Sequence, residues 1–234
     1  MDPVARSANG FLASLSAEDF EAIRPHLRTI QFAQERLLAK AGDEIQHVYL
    51  PHSGVVSFIV ELETGDRIEV GMVGRDSILG HVSAFGEPVA FTTAVVLLPG
   101  TGSVLDVEQL RAAAERSPAL RTILARHAQA HVAQARQTAA CNAAHAVEAR
   151  LARWLLRVRD LAGSDQFTLT QGLMAQMIGA RRNSVSIVAH MLQQANYIRY
   201  SRGHVEIIDL DGLTRTACEC YGAVRSHYER LRLI

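Results

Sequence analysis

The run Arg181-Arg182-Asn183-Ser184 carries the side chains in this chain best suited to reading nucleic acid. An arginine can fork two hydrogen bonds to a guanine edge or grip a phosphate, and an asparagine pairs with adenine. Ile187 offers only apolar contact, for instance with a thymine methyl. These residues open a helix from about Arg181 whose Val185, Val188, Met191 and Leu192 are expected to face inward. Upstream, Thr170 is placed to cap a helix running to Ile178, and Gly179 supplies a turn at positive φ. Ala175 must be small, because the two helices cross over it. This is helix-turn-helix spacing, with the second helix destined for the major groove. The DNA-facing set is then Thr170, Gln171, Arg181, Arg182, Asn183, Ser184 and Ile187.

The segment Tyr197–Ile208 reads as two short strands around a Gly turn. A hairpin in that position makes a wing, from which Arg199, Arg202 and His204 can meet phosphates. The bland alternative is a helical hairpin with a solvated basic face; the wing and the arginine placement weigh against it. Charge agrees weakly. The net charge is zero, but residues 1–147 hold 12 basic and 16 acidic side chains. Residues 148–234 hold 12 basic, all arginine, and 8 acidic. A cationic C-terminal part is what an electrostatic DNA contact requires.

Three kinds of element must position these residues. A short helix is expected over 11–27, with Ser16 as a cap and Pro25 disturbing its end. From about 28 to 107, segments rich in Val, Ile, Phe and Thr alternate with turns: His47–Leu50, Val55–Leu62, Arg67–Val73 and Thr92–Leu98, with Thr64-Gly65-Asp66 as a hairpin signal. That spacing predicts a β-barrel or jelly roll. A helical pattern follows from Val107. Pro118 after Ser117 starts a long helix to about Ala143, and a second runs from Glu148 to Leu161 with Leu151, Trp154, Leu155 and Val158 on one face. Within the long helix, Leu120, Leu124, Ala128, Val132, Ala135 and Ala139 form a narrow seam expected to pair two chains. The expected fold is α+β, with a β jelly-roll domain at 1–110, a dimerisation helix at 111–146 and a winged helix-turn-helix at 147–234.

In order and spacing the chain resembles the CRP/FNR family of bacterial transcription regulators. The resemblance rests on Tyr49-Leu50-Pro51-His52-Ser53-Gly54, Gly71–Gly80, the helix after Pro118, Arg150-Leu151-Ala152-Arg153-Trp154-Leu155-Leu156 and the winged helix-turn-helix. It implies a cyclic-nucleotide-binding-like jelly roll, a homodimer on double-stranded DNA and contact with RNA polymerase. Arg182 matches the family's usual arginine, whereas Asn183 and Ile187 stand where a glutamate and a second arginine are usual, and Arg181 replaces a small residue. The DNA half-site is therefore expected to differ from the usual one. Where nucleotide-binding members carry Gly-Glu and Arg-Ser or Arg-Thr, this chain has Gly80-His81 and Phe91-Thr92. No Lys or Arg occurs from Asp76 to Leu110, and a buried phosphate without a cation is costly. The effector pocket is thus degenerate. Tight binding of cyclic AMP is not expected, and no cofactor is indicated.

Other chemistries have fewer ligands to work with. An iron–sulfur cluster needs about four cysteines, and none precedes the long helix. A haem- or metal-dependent sensor would draw on His81, His127 or His131, with Cys141. His127 and His131 are four apart and share a face; they form a cluster across a dimer axis or, more simply, are solvated or interface histidines. Cys218 and Cys220, two apart on a helix, are expected to diverge and serve packing, so no metal site is anticipated. A cupin-like enzyme needs clustered ligands, and His47, His52 and His81 are scattered; no catalytic residue is indicated. The chain lacks an apolar run of membrane-spanning length and a signal-peptide core, so a cytoplasmic protein is expected.

Overall fold

The computed structural model describes residues 8–230; residues 1–7 and 231–234 lie outside it, and with them most of the polar N-terminal stretch. The helix expected over 11–27 is divided into α1 (Gly10–Ser14) and α2 (Ala17–Ile23), followed by a 3-10 turn at Arg24–His26. Ser16 causes the break: it is extended and its Oγ accepts from the Asp19 amide at 3.0 Å, so it opens a new helix. Asn9 caps α1, and its Nδ2 donates to the carbonyls of Pro51 and Ser77.

Seven strands follow: β1 (Arg28–Phe32), β2 (Leu37–Ala39), β3 (His47–Pro51), β4 (Val55–Glu61), β5 (Arg67–Val73), β6 (Thr93–Leu98) and β7 (Gly100–Asp106). They form two antiparallel sheets, ordered β1-β7-β3 and β2-β6-β4-β5. Phe32, Leu79, Val56 and Val96 fill the space between them. This is the expected jelly roll, with strands β4, β6 and β7 buried along most of their length.

Helix α3 (Val107–Arg116) leads into α4 (Pro118–Ala144), whose first turn is capped by Ser117 with Pro118 at the first position. The buried residues of α4 recur every three or four positions: Leu120, Leu124, His127, Ala130, Gln134, Thr138 and Cys141. This face lies on the chain's own β domain and, at Ala130 and Cys141, against Val224 and Tyr228 and against Cys218 and Cys220 near the C-terminal end. The Gln134 amide both donates to the Met72 carbonyl and accepts from its N–H, each at 3.1 Å, and so satisfies one residue of edge strand β5.

After α5 (Val147–Ala162), closed by left-handed Gly163, come β8 (Gln166–Thr168), α6 (Gln171–Met177), α7 (Arg182–Gln194), β9 (Ile198–Ser201), β10 (His204–Ile207), α8 (Leu210–Thr216) and α9 (Cys220–Arg230). Their core is continuous with the jelly roll. Leu151, Trp154, Leu155 and Val158 of α5 pack with Met174, Val185 and Leu192 on one side and Val55, Ile59 and Met72 on the other. The architecture is the expected α+β one: jelly roll, long helix, winged helix-turn-helix. Among the described residues no helix is long and apolar enough to cross a membrane.

Candidate nucleic-acid interface and sensory cavity

Thr170 begins the first helix of the pair, its Oγ1 accepting from the Leu173 amide at 3.1 Å. The helix ends at Ile178, and Gly179 turns the chain at φ +59°. The Arg150 guanidinium, buried on α5, donates to the carbonyl oxygens of Ile178 and Gly179. A charged donor thus caps carbonyls that the helix leaves open and fixes the turn against α5. Sequence reasoning missed this role; the signal was a stripe of arginines, Arg150, Arg153 and Arg157, at helical spacing beside the apolar face of α5. Ser186 Oγ donates to Gln171 Oε1 at 2.6 Å, locking α7 onto α6. Gln171 is therefore half-buried and engaged, while Thr170 is exposed at the cap.

Arg181 is the N-cap of α7 without a side-chain capping bond. Arg181, Arg182 and Asn183 are exposed, Ser184 is half-buried, and Ile187 is 63% exposed. Among the described residues neither Arg181, Arg182 nor Arg202 is engaged in an ion pair. Val185, Val188, Ala189 and Leu192 face the core. Met191 does not: it is 45% exposed. It lies one turn beyond Ile187 and shares that outward face, which corrects its expected inward orientation.

The wing is a three-stranded sheet, β8-β10-β9, one strand larger than expected. Its tip is a two-residue turn with both Arg202 (φ +49°) and Gly203 (φ +84°) left-handed, the geometry that matches strand twist. Arg202 is exposed there. Arg199 is exposed too, but it is bound across the ladder to Glu206 at 2.5 Å. His204 Nδ1 sits 3.2 Å from Thr168 Oγ1. Of the three wing side chains expected to meet phosphate, Arg199 starts from an ion pair and must exchange it.

Gly80, His81, Phe91 and Thr92 all line one cavity of about 170 Å³ inside the jelly roll, with Tyr49, Phe58 and His131. Glu87 is the one formally charged lining residue; no Lys or Arg is present. Gly80 is left-handed (φ +84°), and a Cβ there would lie 2.7 Å from the His47 carbonyl oxygen, so the position requires glycine. Phe91 is 82% exposed at the rim, whereas His81 is buried.

His81 and His131, which line the cavity, gather with His127 within one chain. Ser77 Oγ lies 2.7 Å from His127 Nδ1 and 3.0 Å from His131 Nε2. The His81 and His131 ring centres are 5.2 Å apart. Burial pushes the imidazoles towards the neutral form, His127 down to about 3 and His131 to about 4, with His81 also well below its ordinary value. The expectation that His127 and His131 face a dimer axis or solvent is thus corrected: they lie on the face of α4 that covers the β domain. Cys141 lies 10 residues beyond His131, about 15 Å along the helix, so it does not share a haem site with the histidines. His47 pairs with Asp106 and His52 with Ser103, and among the described residues neither joins His81 in a group of metal-ligand spacing.

The expected dimer seam divides. Leu120 and Leu124 are fully buried within the chain against Phe11, Leu110 and their neighbours, so they cannot meet a second copy. Ala128 and Ala135 are half-buried, and Val132 and Ala139 exposed. The first two turns serve the β domain because the two leucines share a face with His127 and Gln134. The cysteines are corrected as well. Cys218 precedes α9 in a turn and Cys220 is its first residue, so they do not diverge; both approach Cys141.

Two family models match the chain in tandem: a cyclic nucleotide-binding domain over residues 29–117 and a Crp-like helix-turn-helix domain over residues 149–216. No curated protein matches it. Among solved structures, a putative transcriptional regulator of the CRP/FNR family from Eubacterium rectale is similar over 90% of this chain and 98% of its own, at 14% identity and a TM-score of 0.69. FixK2 from Bradyrhizobium japonicum is similar over 82% of this chain and 98% of its own, at 14% identity and a TM-score of 0.70. TTHB099, a CRP-family transcriptional regulator from Thermus thermophilus, is similar over 80% and 96%, at 21% identity and a TM-score of 0.66.

Proposed function

The chain belongs to the CRP/FNR family of transcription regulators, and from that premise we propose that it works as a cytoplasmic homodimer reading a palindromic DNA site through α7. The observation that carries this reading is the unpaired, exposed group Arg181, Arg182 and Asn183 at the start of α7, flanked by the wing. Arg182 contacts a guanine or a phosphate, Asn183 an adenine, and Ile187 a thymine methyl; Arg202 and a released Arg199 hold the backbone. Two such helices about one DNA turn apart would make the site palindromic. The units are a sensory domain at 1–110, a dimerising helix at 111–146 and a DNA-binding domain at 147–234. Contact with RNA polymerase completes the reading, in which the protein is a regulator and not an enzyme. Genome-wide mapping of occupied sites tests it: Arg182→Ala is expected to empty most of them, and unchanged occupancy would remove Arg182 from its role.

The jelly roll keeps the family's cavity without its anion chemistry. A volume of about 170 Å³ is below the roughly 300–1,000 Å³ of ordinary ligand sites. Its walls offer imidazoles and aromatic rings where a cyclic phosphate needs a cation. Isothermal titration with cyclic AMP and cyclic GMP is expected to give no tight binding; micromolar affinity for either contradicts this.

A further inference from the structure

We propose that Cys141, His145, Cys218 and Cys220 form a tetrahedral zinc site that clamps the end of the long helix to the last helix of the DNA-binding domain. The four ligand atoms come from separate places: Cys141 in the last turn of α4, His145 at its C-cap, Cys218 in the turn after α8, and Cys220 opening α9. Yet all lie within 4.8 Å of one another. Cys141 and Cys218 sulfurs are 3.5 Å apart, and Cys220 Sγ is 3.6 Å from His145 Nδ1. Zinc bonds of about 2.3 Å to sulfur and 2.0–2.1 Å to nitrogen, at tetrahedral angles, separate such ligands by about 3.8 and 3.6 Å. The 3.5 and 3.6 Å separations are close to those an ion would set, and the rest stay within 4.8 Å.

The surroundings support the same chemistry. His145 Nε2 stands 3.2 Å from a Glu219 carboxylate oxygen, which places the proton on Nε2 and leaves the Nδ1 lone pair facing Cys220. A carboxylate on the far nitrogen is the usual partner of a metal-bound imidazole. Gln137 Nε2 donates to Cys220 Sγ at 3.0 Å. Binding would release three thiol protons, leaving Zn²⁺ with three thiolates and one neutral imidazole at net charge −1. Arg150 and Arg153, both buried, lie within electrostatic reach of Cys141 to balance it. All three cysteines are free and buried, while His145 keeps a partly open side for an ion to enter. Arg150 also caps the helix-turn-helix turn, so the ion would tie the dimer helix, the clamp and the reading head into one rigid path.

Metal content of the full-length protein, purified under reducing conditions without chelator, tests the proposal directly. One zinc per chain is expected, released by titrating three thiols. Cobalt substitution is expected to give the visible absorption of a tetrahedral cobalt–thiolate centre. Cys220→Ser is expected to lose the ion, and Arg202→Ala to retain it. Because a cysteine variant can fail to fold, His145→Asn serves as a second variant with the same expected loss. Protein that is metal-free and gives no cobalt spectrum, a Cys141–Cys218 disulfide by mass spectrometry, or an iron–sulfur chromophore would each overturn it. None of these readouts involves DNA, so their failure would leave the DNA-reading assignment standing.

Discussion

Arg182 is free in solution, so its replacement should cost contacts made only on DNA. A bidentate base contact is worth about 1–3 kcal/mol, so Arg182→Ala should weaken binding by about 5- to 150-fold per half-site and relax sequence preference there. Arg202→Ala, at the wing tip, should weaken all sequences alike and lower the salt slope by about one per half-site. Gel-shift titrations over a salt series separate the two. Arg199 differs, because its exposed pair with Glu206 is worth about 0–1 kcal/mol and is easily exchanged. Glu206→Ala should therefore tighten DNA binding slightly. The exposed residues Arg181, Arg182, Asn183 and Ile187 were legible in the sequence because helix periodicity fixes which residues share a face. The Glu206 partner, the Arg150 cap and the convergence of the cysteines were not, since each joins residues distant in sequence.

At the level of elements, α4 presents two neighbouring faces. Its leucines, His127 and Gln134 cover the jelly roll, and in the proposed dimer Ala128, Val132, Ala135 and Ala139 meet a second copy. Steps of four, three and four keep these on one stripe, and alanines permit close approach. Val132→Glu should place like charges together at the twofold axis. Sedimentation is expected to show a monomer with its secondary structure intact, bound weakly to DNA; a persistent dimer would move the interface elsewhere. The sequence marked the helix and its boundaries well. It blurred the two faces because Leu120 and Leu124 fit an apolar seam as well as they fit a core. The N-terminal helix split for a related reason: capping by Ser16 overrode an apolar pattern that ran past it.

In the whole molecule, α5 joins the jelly roll to the helix-turn-helix. Its Trp154 Nε1 donates to Glu69 of β5 at 2.9 Å, and Arg157 is bound to Asp76 at 2.6 Å. Burial raises the Glu69 carboxyl from 4.5 to about 7, against hydrogen bonds from Ser57 and Trp154 that favour the ionised form. The folded state therefore binds more protons than the unfolded one between those values. Stability falls as pH rises from about 4.5 to 7, by about 3 kcal/mol at the limit. Trp154 is the sole tryptophan, so its fluorescence should titrate near pH 7, and Glu69→Gln should abolish that transition. His127 and His131 act in the opposite sense. They are neutral in the fold, so their contribution is complete above about 6.5 and is lost as pH falls towards 4.

The central claim is that α7 of a paired molecule reads DNA. Selection of sequences from a random duplex pool by the full-length protein measures this most directly. The account predicts a palindrome with half-sites about 10–10.5 base pairs apart, distinct from the usual CRP half-site, with preference lost in Arg182→Ala. Absence of an enriched palindrome, or the same palindrome recovered by Arg182→Ala, would contradict it.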